Sequence, residues 1–243
     1  MRANARPRSE HCTTRSSNLF SVSPFVALVC RAGCARRPPQ TRRDEAWYIC
    51  RLAMGSNELE LQKRLGLIVK ASPWLLDALE IIKSQGLPDW YLAAGAIRNT
   101  VWDALHGWVS MQPQSDLDVI YFDPGNPQNA AEMTLQVALP EYTWEVTNQA
   151  TVHHWQSGAT NRAVPPYESN ATAMASWPET ATAVGVRLTD SGMIESIAPH
   201  GLADLFDLTL RPSPTASDPT AYESRLRQKA WHLRWPRLRI LRS

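Results

Sequence analysis

Cysteine is absent from the last 190 residues, because Cys12, Cys30, Cys34 and Cys50 all precede residue 54. A secreted protein held together by disulfides would carry them in its folded part, so that class is excluded. The C-x3-C spacing of Cys30 and Cys34, without matched histidines, does not fit a zinc site. We therefore expect the folded part to work in a reducing compartment, and we expect a cytoplasmic protein.

Long apolar runs and several common catalytic signatures are also missing. The sequence has no run of about 18 apolar residues, so we expect no membrane-spanning helix and no membrane partner. It contains no G-x-x-x-x-G-K-[ST], no G-x-G-x-x-G, no G-x-S-x-G and no H-E-x-x-H. P-loop, Rossmann, α/β-hydrolase and zincin chemistry therefore lack the motifs that carry them.

Charge divides the 243 residues into three parts, although the net charge is only +2. Residues 1–53 hold 10 Arg, no Lys and 3 acids, residues 54–218 hold 8 basic and 19 acidic residues, and residues 219–243 hold 7 basic and 1 acidic. We expect residues 1–53 to be a disordered or non-native leader, with a targeting peptide as the alternative. Residues 54–243 are expected to form one domain that ends in a basic helix.

Hydrophobic periodicity predicts alternating helices and strands from Asn57 onward. Helices are expected near 57–68, 73–85, 96–106 and 127–139, and from about Ala221. Strands are expected at 90–94, 117–122 and 142–147, and as a pair within 183–199. A loop rich in Pro, Ser, Asn and Ala is expected between the third strand and that pair. This alternation predicts an α/β (α+β) class.

Three carboxylates stand out on two of the predicted strands. Asp116 and Asp118 lie two residues apart at the start of one strand, so their side chains point to the same face. Two carboxylates this close repel each other and favour a divalent cation between them. Glu145 lies on the next strand, between Trp144 and Val146. If the strands are neighbours, the three acids form a cluster suited to two metal ions in phosphoryl or nucleotidyl transfer.

A glycine turn precedes this acidic strand. The stretch YLAAGAIRNTVWDALHG (91–107) predicts a strand, Gly95 and then a helix. Gly95 permits close approach of a phosphate, and the first amide groups of a helix favour anions. Arg98, one turn into the helix, is placed to reach the same phosphate.

These segments together resemble the polymerase β-type nucleotidyltransferase superfamily. GAIRNTVWD (95–103) and its flanks look like the head domain of tRNA CCA-adding enzymes and poly(A) polymerases. The chain is most similar to a mostly bacterial nucleotidyltransferase-like family, through that segment and SDLDVIYFD (115–123), NQA (148–150), WPETATAVGVR (177–187) and IAPHGLADLFDL (197–208). The resemblance implies a nucleotidyltransferase fold, a small mixed sheet flanked by helices.

The same resemblance implies a set of site residues. Asp116, Asp118 and Glu145 would be the catalytic metal ligands for Mg²⁺ (or Mn²⁺), and Gly95, Ala96 and Arg98 would bind the phosphates of an NTP. The superfamily usually has Gly-Gly or Gly-Ser at the turn, whereas Ala96 follows Gly95 here and offers no hydroxyl. Thr151 also stands where we expect an arginine.

The implied activity is transfer of a nucleoside monophosphate from an NTP to an acceptor. The acceptor stays open between a small molecule, a protein and RNA, and the acidic body does not favour an extended polyanion. The alternative is a non-catalytic nucleotide-binding or RNA-binding module on the same fold. For the basic C-terminal segment, packing against the acidic body is favoured over RNA binding.

Overall fold

The computed structural model describes residues 57–242, with gaps at 127–129 and 161–162. The helices are α1 (57–70), α2 (Pro73–Ser84), α3 (Gly95–Leu105), α4 (Ala131–Ala138), α5 (Val152–Thr160), α6 (Asn170–Ala175), α7 (Ala203–Phe206), α8 (Ala221–Lys229) and α9 (Trp231–Arg234). The strands are β1 (Tyr91–Ala93), β2 (Leu117–Tyr121), β3 (Trp144–Asn148), β4 (Gly185–Leu188), β5 (Ile194–Ile197), β6 (Thr209–Leu210) and β7 (Arg239–Ile240). The leader expected at 1–53 lies outside the described residues.

Five strands form one mixed sheet in the order β3-β2-β1-β4-β5. Strands β2 and β3 run parallel, whereas β1 is antiparallel to both β2 and β4, and β4 is antiparallel to β5. Strands β6 and β7 form a separate parallel pair. The predicted small mixed sheet with flanking helices is confirmed. No helix in the described ranges is long and apolar enough to cross a bilayer.

The side chains of strand β2 alternate between the two faces of the sheet. Leu117, Val119 and Tyr121 belong to the main core, together with the buried faces of α1, α2 and α3. Ile120 belongs to a smaller cluster with Met174 of α6. Because neighbouring side chains of a strand point to opposite faces, Asp118 shares the face of Ile120 and points away from the main core.

The prediction of a loop between β3 and β4 is wrong, because this segment contains the helices α5 and α6. The Ser169 side chain caps α6 by accepting a hydrogen bond from the Thr172 amide. The Thr172 hydroxyl in turn accepts one from the Ser169 amide, which completes a capping box. This reciprocal cap satisfies two amide groups at the helix start and outweighs the turn-favouring composition around it.

The basic C-terminal segment is not one continuous helix. Helix α8 ends at Lys229, Ala230 adopts a left-handed conformation with φ 42°, and the short α9 follows. Tyr222, Leu226 and Trp231 from this segment are buried in the main core. The segment therefore packs against the acidic body, as its amphipathic pattern predicts.

Asp103 of α3 anchors the end of the chain. Its side chain is 1% exposed. It accepts hydrogen bonds from Trp235 Nε1 at 2.8 Å and from Arg234 Nη2 at 3.1 Å. The Trp235 ring also packs edge-on against Trp102, with the ring centroids 5.2 Å apart. One buried carboxylate therefore joins α3 to the last residue of α9 and to Trp235 directly after it.

Asp103→Ala is expected to destabilise the protein by about 3 kcal/mol, because it removes a buried acceptor and leaves Trp235 Nε1 without a partner. Chemical denaturation measures this change. Glu60→Ala is the control, since Glu60 pairs with Lys63 at 3.7 Å on an exposed surface. Its effect is expected to stay below about 0.5 kcal/mol. Equal effects of the two substitutions would contradict the anchoring role.

Candidate functional site

A cleft opens on the sheet face that carries Asp118. It consists of two adjoining cavities, which we name the turn cavity (about 370 Å³) and the strand cavity (about 390 Å³). Gly95, Arg98 and Lys229 are among the residues that line the turn cavity alone. Residues common to both cavities are Asp118, Glu145, Trp177, Pro178 and Arg225.

The three carboxylates predicted from the sequence lie in this cleft. Asp116 directly precedes β2 and lines the turn cavity with Asp118 and Glu145. Strands β2 and β3 are neighbours, and Asp118 lies opposite Glu145 in their parallel register. Trp144 is buried and Val146 packs against the main core. Glu145, the residue between them in the strand, therefore points to the opposite, open face of the sheet. The structure thus brings the three acids together at one edge of the sheet.

Burial and the two neighbouring carboxylates change the pKa of Asp118. The pKa of Asp118 is raised to about 6, first by burial and then by the negative charges of Glu145 and Asp116. Arg98 and Arg225 act in the opposite direction on the same group. Burial and like charges both disfavour the ionised carboxylate. A cation bound between these acids would relieve the repulsion.

The donor set fits Mg²⁺ held jointly with a substrate. Within the described residues, no three histidine, cysteine or carboxylate side chains converge to hold one ion. Mg²⁺ sites are commonly completed by substrate phosphates and water around one or two carboxylates, without a full protein cage. Asp116 and Asp118, with Glu145 opposite Asp118 in the strand register, could provide hard oxygen ligands of this kind.

The backbone strain at the turn falls on Ala94. Its φ is 53° and its ψ is −123°, values that glycine adopts far more easily. Sequence reasoning missed this residue, because its only signal is a small side chain directly before the glycine. Strain in a non-glycine residue at a cleft is typical of functional sites.

Gly95 begins α3, and its lack of a side chain has a clear reason. A Cβ at this position would overlap Ser115 Oγ and come within 3.0 Å of Ser115 Cβ. Ser115 directly precedes Asp116, so the glycine permits the α3 start to approach the acidic strand. Ala96 is 1% exposed and its methyl group belongs to the main core. Only its amide group is therefore suited to contact a ligand.

Arg98 lines the turn cavity but is tightly held. It is 4% exposed. Nη1 donates to Thr182 Oγ1 at 2.7 Å, and Nη2 donates to Asn99 Oδ1 at 2.9 Å. The guanidinium also lies 4.8 Å from the Trp231 ring centroid. Burial lowers the pKa of Arg98 to about 10, while the nearby Glu179 charge acts to raise it.

Two cations of the cleft come from α8 and were not predicted. Arg225 lines both cavities, and Lys229, four residues later, lines the turn cavity. The sequence places both in a basic segment that is far from the acidic strands along the chain. Their one-turn spacing on a helix is the only sequence signal that they share a face.

Three further acids, Asp123, Glu141 and Glu179, lie outside both cavities. Asp123 caps a turn by accepting hydrogen bonds from the amides of Gly125 and Asn126 at 2.9 and 3.0 Å. Glu141 is exposed before β3. Glu179 is buried and accepts a hydrogen bond from Arg225. None of the three lines the cleft beside Asp116 and Asp118.

Three solved structures are similar to this chain to different degrees. An NMR structure described as revealing a CCA-adding enzyme head domain is 32% identical, with a TM-score of 0.64, over 74% of this chain and 96% of its own length. A tRNA-processing enzyme (apo form 2) is 18% identical, with a TM-score of 0.41, over 68% of this chain and 44% of its own. The Bacillus stearothermophilus CCA-adding enzyme in complex with CTP is 20% identical, with a TM-score of 0.34, over 66% of this chain and 36% of its own length.

The chain thus spans less than half the length of those two larger enzymes. The similarity of fold rests on the head-domain structure. No curated protein matches the chain significantly. A family model described as nucleotidyltransferase matches residues 80–240. This match covers α3, the acidic strands and the C-terminal helices, that is, every residue of the cleft. The chain therefore belongs to this nucleotidyltransferase family, with the head-domain fold of the polymerase β superfamily.

Proposed function

We propose that the protein transfers a nucleoside monophosphate from an NTP to an acceptor in a reaction that depends on Mg²⁺ (or Mn²⁺). One observation carries this proposal: the turn cavity is lined at once by Gly95 at the start of α3, by Arg98, and by Asp116, Asp118 and Glu145. An anion-binding helix start thus faces a carboxylate cluster across one cavity. The family membership and the head-domain fold support the same reaction.

The start of α3 would bind the triphosphate. The first amides of a helix have no acceptor within it, and the helix dipole favours negative charge at this end. The amides of Gly95 and Ala96 would donate to phosphate oxygens. Arg98 would contribute positive charge from the cavity wall, since its nitrogen atoms already donate to Thr182 and Asn99.

The carboxylates would hold the metal and orient the acceptor. Asp116 and Asp118 would be ligands shared by two Mg²⁺ ions, and Glu145 would complete the ligand set of the ion on the acceptor side. When bound, Mg²⁺ supplies Lewis-acid stabilisation of the charge that develops on the phosphate oxygens. The acceptor oxygen would form a bond to the α-phosphorus, the bond to pyrophosphate would break, and the acceptor proton would pass to water.

Incubation with α-labelled and γ-labelled NTPs tests the reaction type. Acceptor fractions of small metabolites, proteins and RNA are each supplied with Mg²⁺. Label from the α-position is expected in one acceptor fraction, while label from the γ-position leaves as pyrophosphate. Transfer of γ-label to an acceptor would indicate a kinase and contradict the proposal. Binding of NTP without transfer to any fraction would favour the non-catalytic alternative.

A further inference from the structure

Arg225, which lines the cleft, forms an ion pair with the buried Glu179. Arg225 Nε donates to Glu179 Oε1 at 2.6 Å. The Glu179 side chain is 0% exposed, whereas that of Arg225 is 33% exposed and lines both cavities. Glu179 comes from the loop before β4, and Arg225 comes from α8. The pair therefore fixes the end of a long side chain at the boundary between the two cavities.

Stability alone explains this pair poorly. Glu179 Oε2 is buried and has no hydrogen-bond partner among the described residues. A buried carboxylate oxygen without a partner costs free energy, and apolar residues often replace such a pair without loss of stability. Arg225 makes its hydrogen bond through Nε, and its two Nη groups make none to the described residues. They are therefore available to a ligand in the cleft.

Glu179 also offsets repulsion between two arginines. Its charge raises the pKa of Arg98, whereas the charge of Arg225 lowers it. Arg98 and Arg225 both line the turn cavity, together with Asp116 and Asp118. Two guanidinium groups facing one cavity repel each other unless a negative charge lies near both. The buried carboxylate of Glu179 supplies that charge and keeps one wall of the cleft positive.

We propose that Arg225 binds the phosphates of the nucleotide and that Glu179 is the residue that positions it. The inference rests on the proposed function and extends the phosphate site from α3 to the C-terminal helix. Guanidinium groups bind phosphate oxygens through two parallel hydrogen bonds. Lys229 adds a second cation one turn later on the same wall. The basic C-terminal segment thus serves the cleft through two of its seven basic residues.

Calorimetry with inorganic triphosphate, and with each of the four Mg·NTPs, tests this role. Arg225→Ala is expected to weaken binding by about 10- to 100-fold, the range for a charge-assisted hydrogen bond. Arg225→Lys keeps a cation and is expected to recover part of the affinity. Arg227→Ala is the matched control, because Arg227 is exposed on the same helix and outside the cleft. It is expected to bind as the unaltered chain does.

A double-mutant cycle tests the positioning role of Glu179. Glu179→Gln is expected to weaken triphosphate binding in the unaltered background and to have no further effect beside Arg225→Ala. A weakening of equal size in both backgrounds would show that Glu179 acts only on the fold. Unchanged binding by Arg225→Ala would contradict the inference while leaving the proposed function intact. If the unaltered chain binds none of the Mg·NTPs, the proposed function itself fails.

Discussion

Asp116→Asn is expected to abolish divalent metal binding and to lower nucleotidyl transfer by at least about 10³-fold. Asp116 shares the turn cavity with Asp118 and Glu145, and replacing its charge removes one of the two carboxylates that would hold both ions. Asparagine has nearly the same shape, and Asp116 is exposed, so the fold is expected to stay intact. Calorimetry with Mn²⁺ measures the metal affinity.

Glu141→Gln provides the matched control for this loss. Glu141 is an exposed acid outside both cavities, three residues before the strand that carries Glu145. Its neutralisation changes the net charge by the same amount and is expected to leave Mn²⁺ binding unchanged. If Asp116→Asn binds Mn²⁺ as tightly as the control does, the metal site has been assigned to the wrong residues.

Glu145→Gln is expected to spare NTP binding and to remove transfer, with a loss of about 10² to 10³-fold. The triphosphate contacts proposed for the α3 start, Arg98 and Arg225 do not involve Glu145. The substitution removes charge only on the acceptor side, where Glu145 would complete the metal site. Nucleotide affinity is measured by calorimetry, and transfer is measured with α-labelled NTP.

The same two measurements on Glu179→Gln separate the roles of the two glutamates. That substitution is expected to weaken nucleotide binding through Arg225, whereas Glu145→Gln is expected to leave it unchanged. Normal transfer by Glu145→Gln would refute the three-carboxylate site. One of the acids outside the cleft, Asp123, Glu141 or Glu179, would then have to be the working group.

The elements that carry the acids could be predicted because their patterns are local. Strand alternation alone places Asp118 and Ile120 on the face opposite Leu117 and Val119, and the structure confirms the strand at Leu117–Tyr121. The position of Glu145 opposite Asp118 could be predicted from the sequence only as a condition. It depends on β2 and β3 being neighbours, and the register between two strands that lie 27 positions apart is set by tertiary packing.

The cationic wall could not be predicted for the same reason. Tyr222, Arg225, Leu226 and Lys229 lie on one side of α8, because their spacing is that of a single helix face. Burial of Tyr222 and Leu226 in the main core therefore turns Arg225 and Lys229 toward the body and its cleft. Without the tertiary contacts, their charges are equally consistent with a solvent-exposed helix surface. Glu179 likewise gave no indication of its ion pair, because its partner lies 46 residues further along the chain. Roles that depend on long-range packing leave no periodic signal.

A crystal structure with Mg²⁺ and a non-hydrolysable NTP tests the central claim most directly. The account predicts that the triphosphate lies against the amides of Gly95 and Ala96, with Mg²⁺ between its oxygens and the carboxylates of Asp116 and Asp118. Arg225 is expected within hydrogen-bond distance of a phosphate oxygen, and Glu145 is expected to face the α-phosphorus. A nucleotide bound away from Asp116 and Asp118, or bound without metal contact to either, would contradict it.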